Sequence, residues 1–374
     1  MANLGDSTAP PVDSRLRLLL LGDSKAGKTW YAMQAAAAGF NVLYLDGDVA
    51  IQTMTDRVNG LKPDALARVE YLNIQDYVND DGAYVPAMAK FFVSLTTEGV
   101  VTWNDTKGRM FHGQDYAVNF ETNTPAGVPS LVTGGDRVIQ IRPARLDMNT
   151  VVIIDSWTTL VTSIQAWKAG DLGIDLLDVE KMERDMYAGT AHKATQFLQL
   201  LRAFPCHLVV IGHPREYIKR SPKVGTVGPA KEQEMKIDWT RMVPMSTSNP
   251  HALTMGKNFS DIAWIELGAV GGKRFINMTP TNERVVGGHF EGREEVDKFS
   301  IGDLIQRIGA PAPKVDAPTD SWLTKYGPGE FVPAGKRPAP TLNTAPAGSL
   351  MQTTAPKGLA GLAGIKSKGV GGTK

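Results

Sequence analysis

Arg17-Leu18-Leu19-Leu20-Leu21-Gly22-Asp23-Ser24-Lys25-Ala26-Gly27-Lys28-Thr29 decides how the rest of the chain is read. Residues 16–21 form a short apolar run that stops at a glycine, as a strand buried on both faces does. Residues 22–29 match G-x-x-x-x-G-K-[ST], a loop whose glycines let backbone N–H groups converge on phosphates. In such a loop Lys28 reaches the β- and γ-phosphates and Thr29 places a hydroxyl on Mg²⁺. Lys28 to Ala38 is alanine-rich and helix-favouring, and Gly39 suits the position just past a helix end. Strand, glycine loop and helix in that order separate a phosphate-binding loop from a chance glycine turn.

Working outward, Asn41 to Leu45 reads as a second strand that runs into Asp46-Gly47-Asp48, and Val69 to Ile74 as a third. Tyr84 to Leu95 reads as a helix, Val151 to Ile154 as a fully apolar strand ending in Asp155, residues 175–203 as a long amphipathic helix, and His207 to Ile211 as another buried strand. Strands alternating with helices predict an α/β protein with a mainly parallel sheet flanked by helices. Between 96 and 145 the pattern changes. Val100 to Asn104 and Arg109 to His112 suggest a hairpin around Asp105-Thr106-Lys107-Gly108, followed by a Gly/Pro/Thr-rich loop and Arg137 to Ile141. This stretch reads as a β-rich insertion. Ile262 to Leu267, Lys273 to Met278 and Glu283 to His289 read as antiparallel strands closing the sheet.

The composition bounds the class. With 374 residues and 42% hydrophobic content there is ample chain for a core, and Lys+Arg 40 against Asp+Glu 39 excludes a globally basic nucleic-acid coat. One cysteine, Cys206, excludes an intramolecular disulfide framework and a Cys-clustered metal site, which makes a reducing, cytoplasmic setting the expectation. The apolar run Leu18 to Leu21 is far too short for a signal segment or a membrane span. Residues 1–14 are polar and expected to be flexible, and 15–310 to form the folded core. Residues 311–374 carry eight basic and three acidic residues, 9 of the 23 prolines and 10 of the 38 glycines. Without a periodic apolar pattern to offset ordering entropy, they read as a disordered, mildly basic tail, with Trp322, Tyr326 and Phe331 able to dock back on the core. The tail serves either as a solubilising linker or in binding a partner or nucleic acid.

Four further positions carry candidate chemistry. Asp155, at the end of an apolar strand, has the Walker B arrangement that holds Mg²⁺. At Asp46-Gly47-Asp48 a carboxylate could activate water for γ-phosphate hydrolysis, bind a small substrate, or simply solvate a turn. His213 follows the strand His207 to Ile211, where a polar side chain can sense a γ-phosphate or sit as an ordinary loop histidine. His112, His192, His207, His251 and His289 show no metal-ligand spacing.

Taken in order, these pieces resemble the RecA-like ATPase core. Val42 to Asp48 looks like the strand ending in that family's catalytic glutamate, with Asp48 at the glutamate's place. Val151 to Ser156 is similar to its Walker B strand, and Val210-Ile211-Gly212-His213 falls where it has a polar sensor. Within the group the likeness is to phage-encoded nucleotide-binding proteins of the single-strand-annealing type, with Phe259-Ser260-Asp261 before a late strand. The resemblance spans roughly 16–290 apart from the insertion. It implies ATP and Mg²⁺ as ligands, catalytic roles for Lys28, Asp48, Asp155 and His213, a nucleotide cradle at Gly22, Asp23, Ser24, Lys25, Ala26, Gly27, Lys28 and Thr29, and metal contacts from Thr29 and Asp155. It also implies a homo-oligomer acting on single-stranded DNA in recombination or annealing, within a bacterial or phage-infected host cell, and a tail that could meet a single-strand-binding protein.

Residues 214–257, rich in Gly, Pro and Ser, read as a basic loop that would offer Arg215, Lys219, Arg220, Lys223 and Lys257 to DNA, with Tyr217 and Trp239 interleaved. Lys257, Lys273 and Arg274 are candidates for a basic finger acting across a subunit boundary. Two departures bear on the hydrolysis rate: Asp48 is shorter than glutamate, and His213 replaces the usual amide. Two other functions stay open. One is a small-molecule P-loop kinase, although Val49-Ala50-Ile51 replaces the Asn and Arg that follow Leu-Asp-Gly-Asp in adenylylsulfate kinases. The other is a module in which ATP only switches assembly or loading.

Overall fold

Six runs become six parallel strands, and four of them, within 17–22, 41–46, 150–155 and 207–211, are buried on both faces, whereas 69–73 alternates buried and half-buried residues at the sheet edge and 261–267 ends in exposed residues. They are β1 (Arg17–Gly22), β2 (Asn41–Asp46), β3 (Val69–Asn73), β4 (Thr150–Asp155), β5 (His207–Ile211) and, after the hairpin strands β6 (Pro214–Pro222) and β7 (Met235–Pro244), β8 (Asp261–Leu267). With β9 (Arg274–Asn277) and β10 (Arg293–Glu295) they form an eight-stranded sheet in the order β10-β9-β8-β1-β5-β4-β2-β3. A computed structural model of the protein describes residues 14–48, 61–78, 82–98, 101–104, 109–110, 118–119, 124–125, 138–141, 143, 146–173, 184–222, 235–246, 248–268, 272–281, 284, 286–310 and 324–326. These lie within a compact unit, Met1–Pro333; a second unit, Ala334–Lys374, lies outside them.

The helices are α1 (Lys28–Ala37), α2 (Ala87–Glu98), α3 (Trp157–Asp171), α4 (Arg184–Ala203), α5 (Asn249–Met255) and α6 (Ile301–Arg307). Alternate strand residues feed two cores. Leu19, Leu21, Val152 and Ile154 pack with Phe91 and Phe92 of α2, Trp157 and Ile164 of α3 and Phe197 and Leu201 of α4. Leu18, Leu20, Val151 and Ile153 pack on the other face with Tyr31 and Met33 of α1 and Leu304 and Ile305 of α6. Every crossover returns to the same end of the sheet, so the C-terminal ends of β1, β2, β4 and β5 share one edge.

The structure differs from the sequence reading in several places. β8 runs parallel to β1, with Leu18 opposite Asp261, and the antiparallel pairs are β8 with β9 and β9 with β10, so that β9 runs against the other strands. Within 283–289 the described residues make isolated bridges, Met242 with Arg284 and Ile262 with Gly287, and β10 takes the edge instead. The helix expected from Tyr84 starts at Ala87, because Tyr84–Val85 pairs with Tyr77–Val78 and Pro86 begins the new turn, its carbonyl accepting from Lys90 N at 3.1 Å. The long helix expected over 175–203 is present over Arg184–Ala203, and 175–183 lie outside the described residues. The basic loop also differs, because it is a hairpin: β6 and β7 pair antiparallel from Pro214↔Pro244 to Pro222↔Met235. Gly225, Gly228 and Pro229 lie in sequence between the two arms, and the arms carry β-favouring Tyr217, Ile218, Ile237 and Val243.

Several elements were not anticipated, α3 and α6 among them. α3 mixes apolar and hydroxyl residues without a clear stripe, and its start is set by Ser156, whose Oγ accepts from Thr159 N at 3.3 Å. α6 carries a full capping box between Ser300 and Asp303. In the expected insertion, Val101–Asn104, Arg109–Met110 and Val138–Ile141 form an antiparallel sheet whose far edge is Thr324–Tyr326, part of the stretch read as tail. The remainder of 311–374, like Lys223, lies outside the described residues.

Candidate active site

β1 has to end in glycine. Gly22 sits at φ 151°, and a Cβ there would lie 2.4 Å from the Ile265 carbonyl oxygen of β8. The chain then turns through Lys25 at φ 62° and Gly27 at φ 99°, and α1 begins at Lys28. A Cβ on Gly27 would meet the Arg274 side chain, 2.9 Å from Cδ and 3.0 Å from Nε. Arg274, on β9, therefore lies against the loop of its own chain.

The Lys28 ammonium is buried and folds back onto the loop, donating to the Gly22 and Asp23 carbonyls at 2.8 Å each. Desolvation holds its pKa below the usual lysine value, partly offset by Asp155, Asp23 and Asp48. Next along α1, the Thr29 hydroxyl donates to Asp155 Oδ2 at 2.5 Å, and the Tyr44 hydroxyl donates to the same oxygen at 2.7 Å. Asp155 is 3% exposed. Burial pushes its carboxyl up to about 6, the two hydroxyl donors pull it down, and Asp48 and Asp46 add repulsion.

At the end of β2, Asp46 is fully buried, its Oδ2 accepting from the Tyr71 hydroxyl at 3.1 Å and its Oδ1 from Asp48 N at 3.1 Å. Gly47 N donates to the Asp155 carbonyl at 2.6 Å, tying this turn to β4. Asp48 points the other way. Its Oδ1 accepts from the Thr159 hydroxyl, and its Oδ2 lies 3.7 Å from His213 Nε2. His213 N in turn donates to Thr158 Oγ1 at 3.2 Å. Lys28, Thr29, Asp48, Asp155 and His213 are thus gathered at one edge from three strand ends and one helix. Asp46 and Asp48, two residues apart, separate into a buried structural carboxylate and an exposed one facing the site.

Tyr44, Thr159 and Arg274-in-cis were not singled out by the sequence. Tyr44 could have been found by period-2 spacing, since it shares a strand face with Asp46. Arg274 could not, because only the pairing of β9 with β8 beside β1 brings it to Gly27. Of the other finger candidates, Lys273 pairs with Glu295 at 3.0 Å, and Lys257 lies just before β8 at the opposite edge of the sheet. Lys257 is therefore far from Arg215, Lys219 and Arg220, with which the sequence grouped it.

No family model matches the chain, and no curated protein matches it. Among solved structures it is similar to the crystal structure of the RadB recombinase, with 14% identity over 74% of this chain and 86% of that chain and a TM-score of 0.34. Among the described residues, no helix is long and apolar enough to cross a membrane.

Proposed function

We propose that the protein is a RecA-like ATPase that binds ATP with Mg²⁺, hydrolyses it, and acts on single-stranded DNA in recombination or annealing. The observation that carries the nucleotide half is the 2.5 Å bond between the Thr29 hydroxyl and the Asp155 carboxylate. A hydroxyl from the P-loop and a carboxylate from a neighbouring strand end, meeting at one point beside a buried lysine, are a donor set suited to Mg²⁺ shared with phosphates. The residues fit the ligand in a second way. The Lys28 ammonium has only loop carbonyls as hydrogen-bond acceptors, so an anion in the loop gives it a stronger partner. Bound Mg²⁺ would neutralise charge on the phosphoryl oxygens. Gly22 to Thr29 would hold the phosphates, with the Arg274 guanidinium alongside Gly27 as a cation in cis.

Asp48 is the reading for the general base. Its Oδ1 is held by Thr159, leaving Oδ2, with His213 Nε2 nearby, to orient a water and accept its proton. His213 also stands at the root of the β6–β7 hairpin, where its carbonyl accepts from Met245 N at 2.8 Å. A change at Asp48 is thereby one residue from a strand that carries Arg215, Lys219 and Arg220. The register puts Arg215, Tyr217, Lys219 and Arg241 on one hairpin face, with Trp239 opposite Lys219 in the pairing. Cations interleaved with an aromatic ring suit phosphates and stacked bases of a single strand.

The test is Mg²⁺-dependent ATP hydrolysis with and without single-stranded DNA, for the natural chain, Lys28→Ala and Asp48→Asn. The expected result is turnover stimulated by DNA and lost by about a hundredfold or more in Asp48→Asn, with nucleotide binding retained there and lost in Lys28→Ala. Binding without turnover in the natural chain would favour the assembly-switch reading, and turnover indifferent to Asp48 would remove it as base.

A further inference from the structure

Where β1 begins and α4 ends, at the sheet edge opposite the P-loop, a cavity of about 550 Å³ opens. Arg15, Arg17, Arg202, Lys257 and His289 line it, and none of its ten lining residues is Asp or Glu. The cations divide into two sets. Arg17, 5% exposed, donates to the carbonyls of Leu16, Arg202, Phe204 and Cys206, and Arg15 Nη1 donates to Phe204 O at 3.0 Å. These two hold the C-terminal end of α4, where helix carbonyls favour positive charge. Arg202 and Lys257 are exposed at the rim, and neither is within ion-pair distance of a carboxylate among the described residues. The nearest buried acid, Asp261, is turned to its own neighbours: it accepts from Ser260 Oγ at 2.8 Å and His289 N at 2.8 Å, with His289 Nδ1 at 3.1 Å.

We propose that this pocket is an anion site for linked phosphates, separate from the nucleotide loop. The Arg202 guanidinium fork and the Lys257 ammonium at the rim, with Arg15 and Arg17 held against carbonyls beside them, match phosphate oxygens geometrically and concentrate positive potential there. One carboxylate would offset only one of four cations, so a ligand with adjacent phosphates suits the charge best. The wall's aromatic side chain, Phe259, is itself 9% exposed, which favours phosphate recognition over base stacking. The six residues of β1 separate the pocket from the P-loop by about 20 Å at the usual rise per strand residue. This inference does not depend on the P-loop being active. Linked phosphates occur both in a nucleic-acid backbone and in free polyphosphate, and the probes distinguish the two.

The experiment uses the full chain carrying Lys28→Ala, so that the P-loop is silent, and titrates tripolyphosphate and a short oligothymidylate by calorimetry. Adding Arg202→Ala and Lys257→Ala is expected to weaken binding about tenfold or more and to reduce the slope of log K against log salt by about two. Exchanging the cations instead, Arg202→Lys with Lys257→Arg, should restore most of the affinity. Weakened binding of the oligonucleotide alone assigns the pocket to a strand backbone, and of tripolyphosphate alone to a free polyphosphate. Binding of both probes that ignores the double substitution, or no binding of either, overturns the proposal, as does equal affinity for polyglutamate. Both substituted side chains are exposed, and an unchanged melting temperature of the double variant separates lost binding from lost fold.

Discussion

Asp155 shows how one buried carboxylate ties stability to pH. Burial raises its folded pKa from 3.8 to about 6, so the folded chain holds the proton more tightly than the unfolded one. Stability from this group is full below about pH 4 and is lost as pH rises through about 6. Asp155→Asn keeps an acceptor for Thr29 and Tyr44 and removes the charge. It should therefore raise the urea midpoint at pH 8, by up to about 3 kcal/mol, with the advantage shrinking towards pH 4. An Asn variant less stable than the natural chain at pH 8 would contradict the burial argument. The same proton predicts that Mg²⁺-dependent nucleotide affinity falls as pH drops below about 6, measurable as a rising Kd in a fluorescent-nucleotide titration.

Among the elements, β1 is held in register by backbone on both sides, with β5 and β8 as parallel neighbours. Gly22 lies at its crowded end. Gly22→Ala forces a Cβ to within 2.4 Å of the Ile265 carbonyl at a φ that side chains avoid, so β1 must shift against β8. We expect a loss of about 2–4 kcal/mol by chemical denaturation, together with weaker nucleotide binding. Gly170, in α3, has an ordinary helical backbone, and a methyl group added there would meet nothing within 4 Å. Gly170→Ala should be neutral or stabilising by about 0.5–1 kcal/mol, and two variants of equal stability would refute the steric account of β1.

Across the whole molecule, the parallel sheet sends its strand ends to two opposite edges. The P-loop, Asp48, Asp155 and His213 share one, and the basic cavity sits at the other. Sites this far apart with no shared partner should behave additively. The rise in melting temperature produced by ATP and Mg²⁺ is therefore expected to be the same in Arg202→Ala/Lys257→Ala as in the natural chain, within about 0.5 kcal/mol. A nucleotide effect abolished in that variant would mean that the two edges communicate through β1.

By itself the sequence located the glycine-rich turn of residues 22–29 between a strand and a helix, the buried strands β1, β2, β4 and β5, and the α/β class. In these stretches a local rule dominates: a glycine-rich turn after an apolar run, or a run apolar on every residue, has few alternatives. It also pointed to Asp48, Asp155 and His213, because each ends or follows such a strand. Tertiary structure alone decided what meets what. The stretch from Pro214 to Pro244 read as loop until pairing made it a hairpin, and strand order carried Arg274 to Gly27. Lys257, near the hairpin in sequence, goes to the far edge because β8 runs parallel to β1 and must start there. Spacing along the chain encodes local conformation, whereas the partners of a side chain depend on strand order and direction, which are set by packing over long sequence separations.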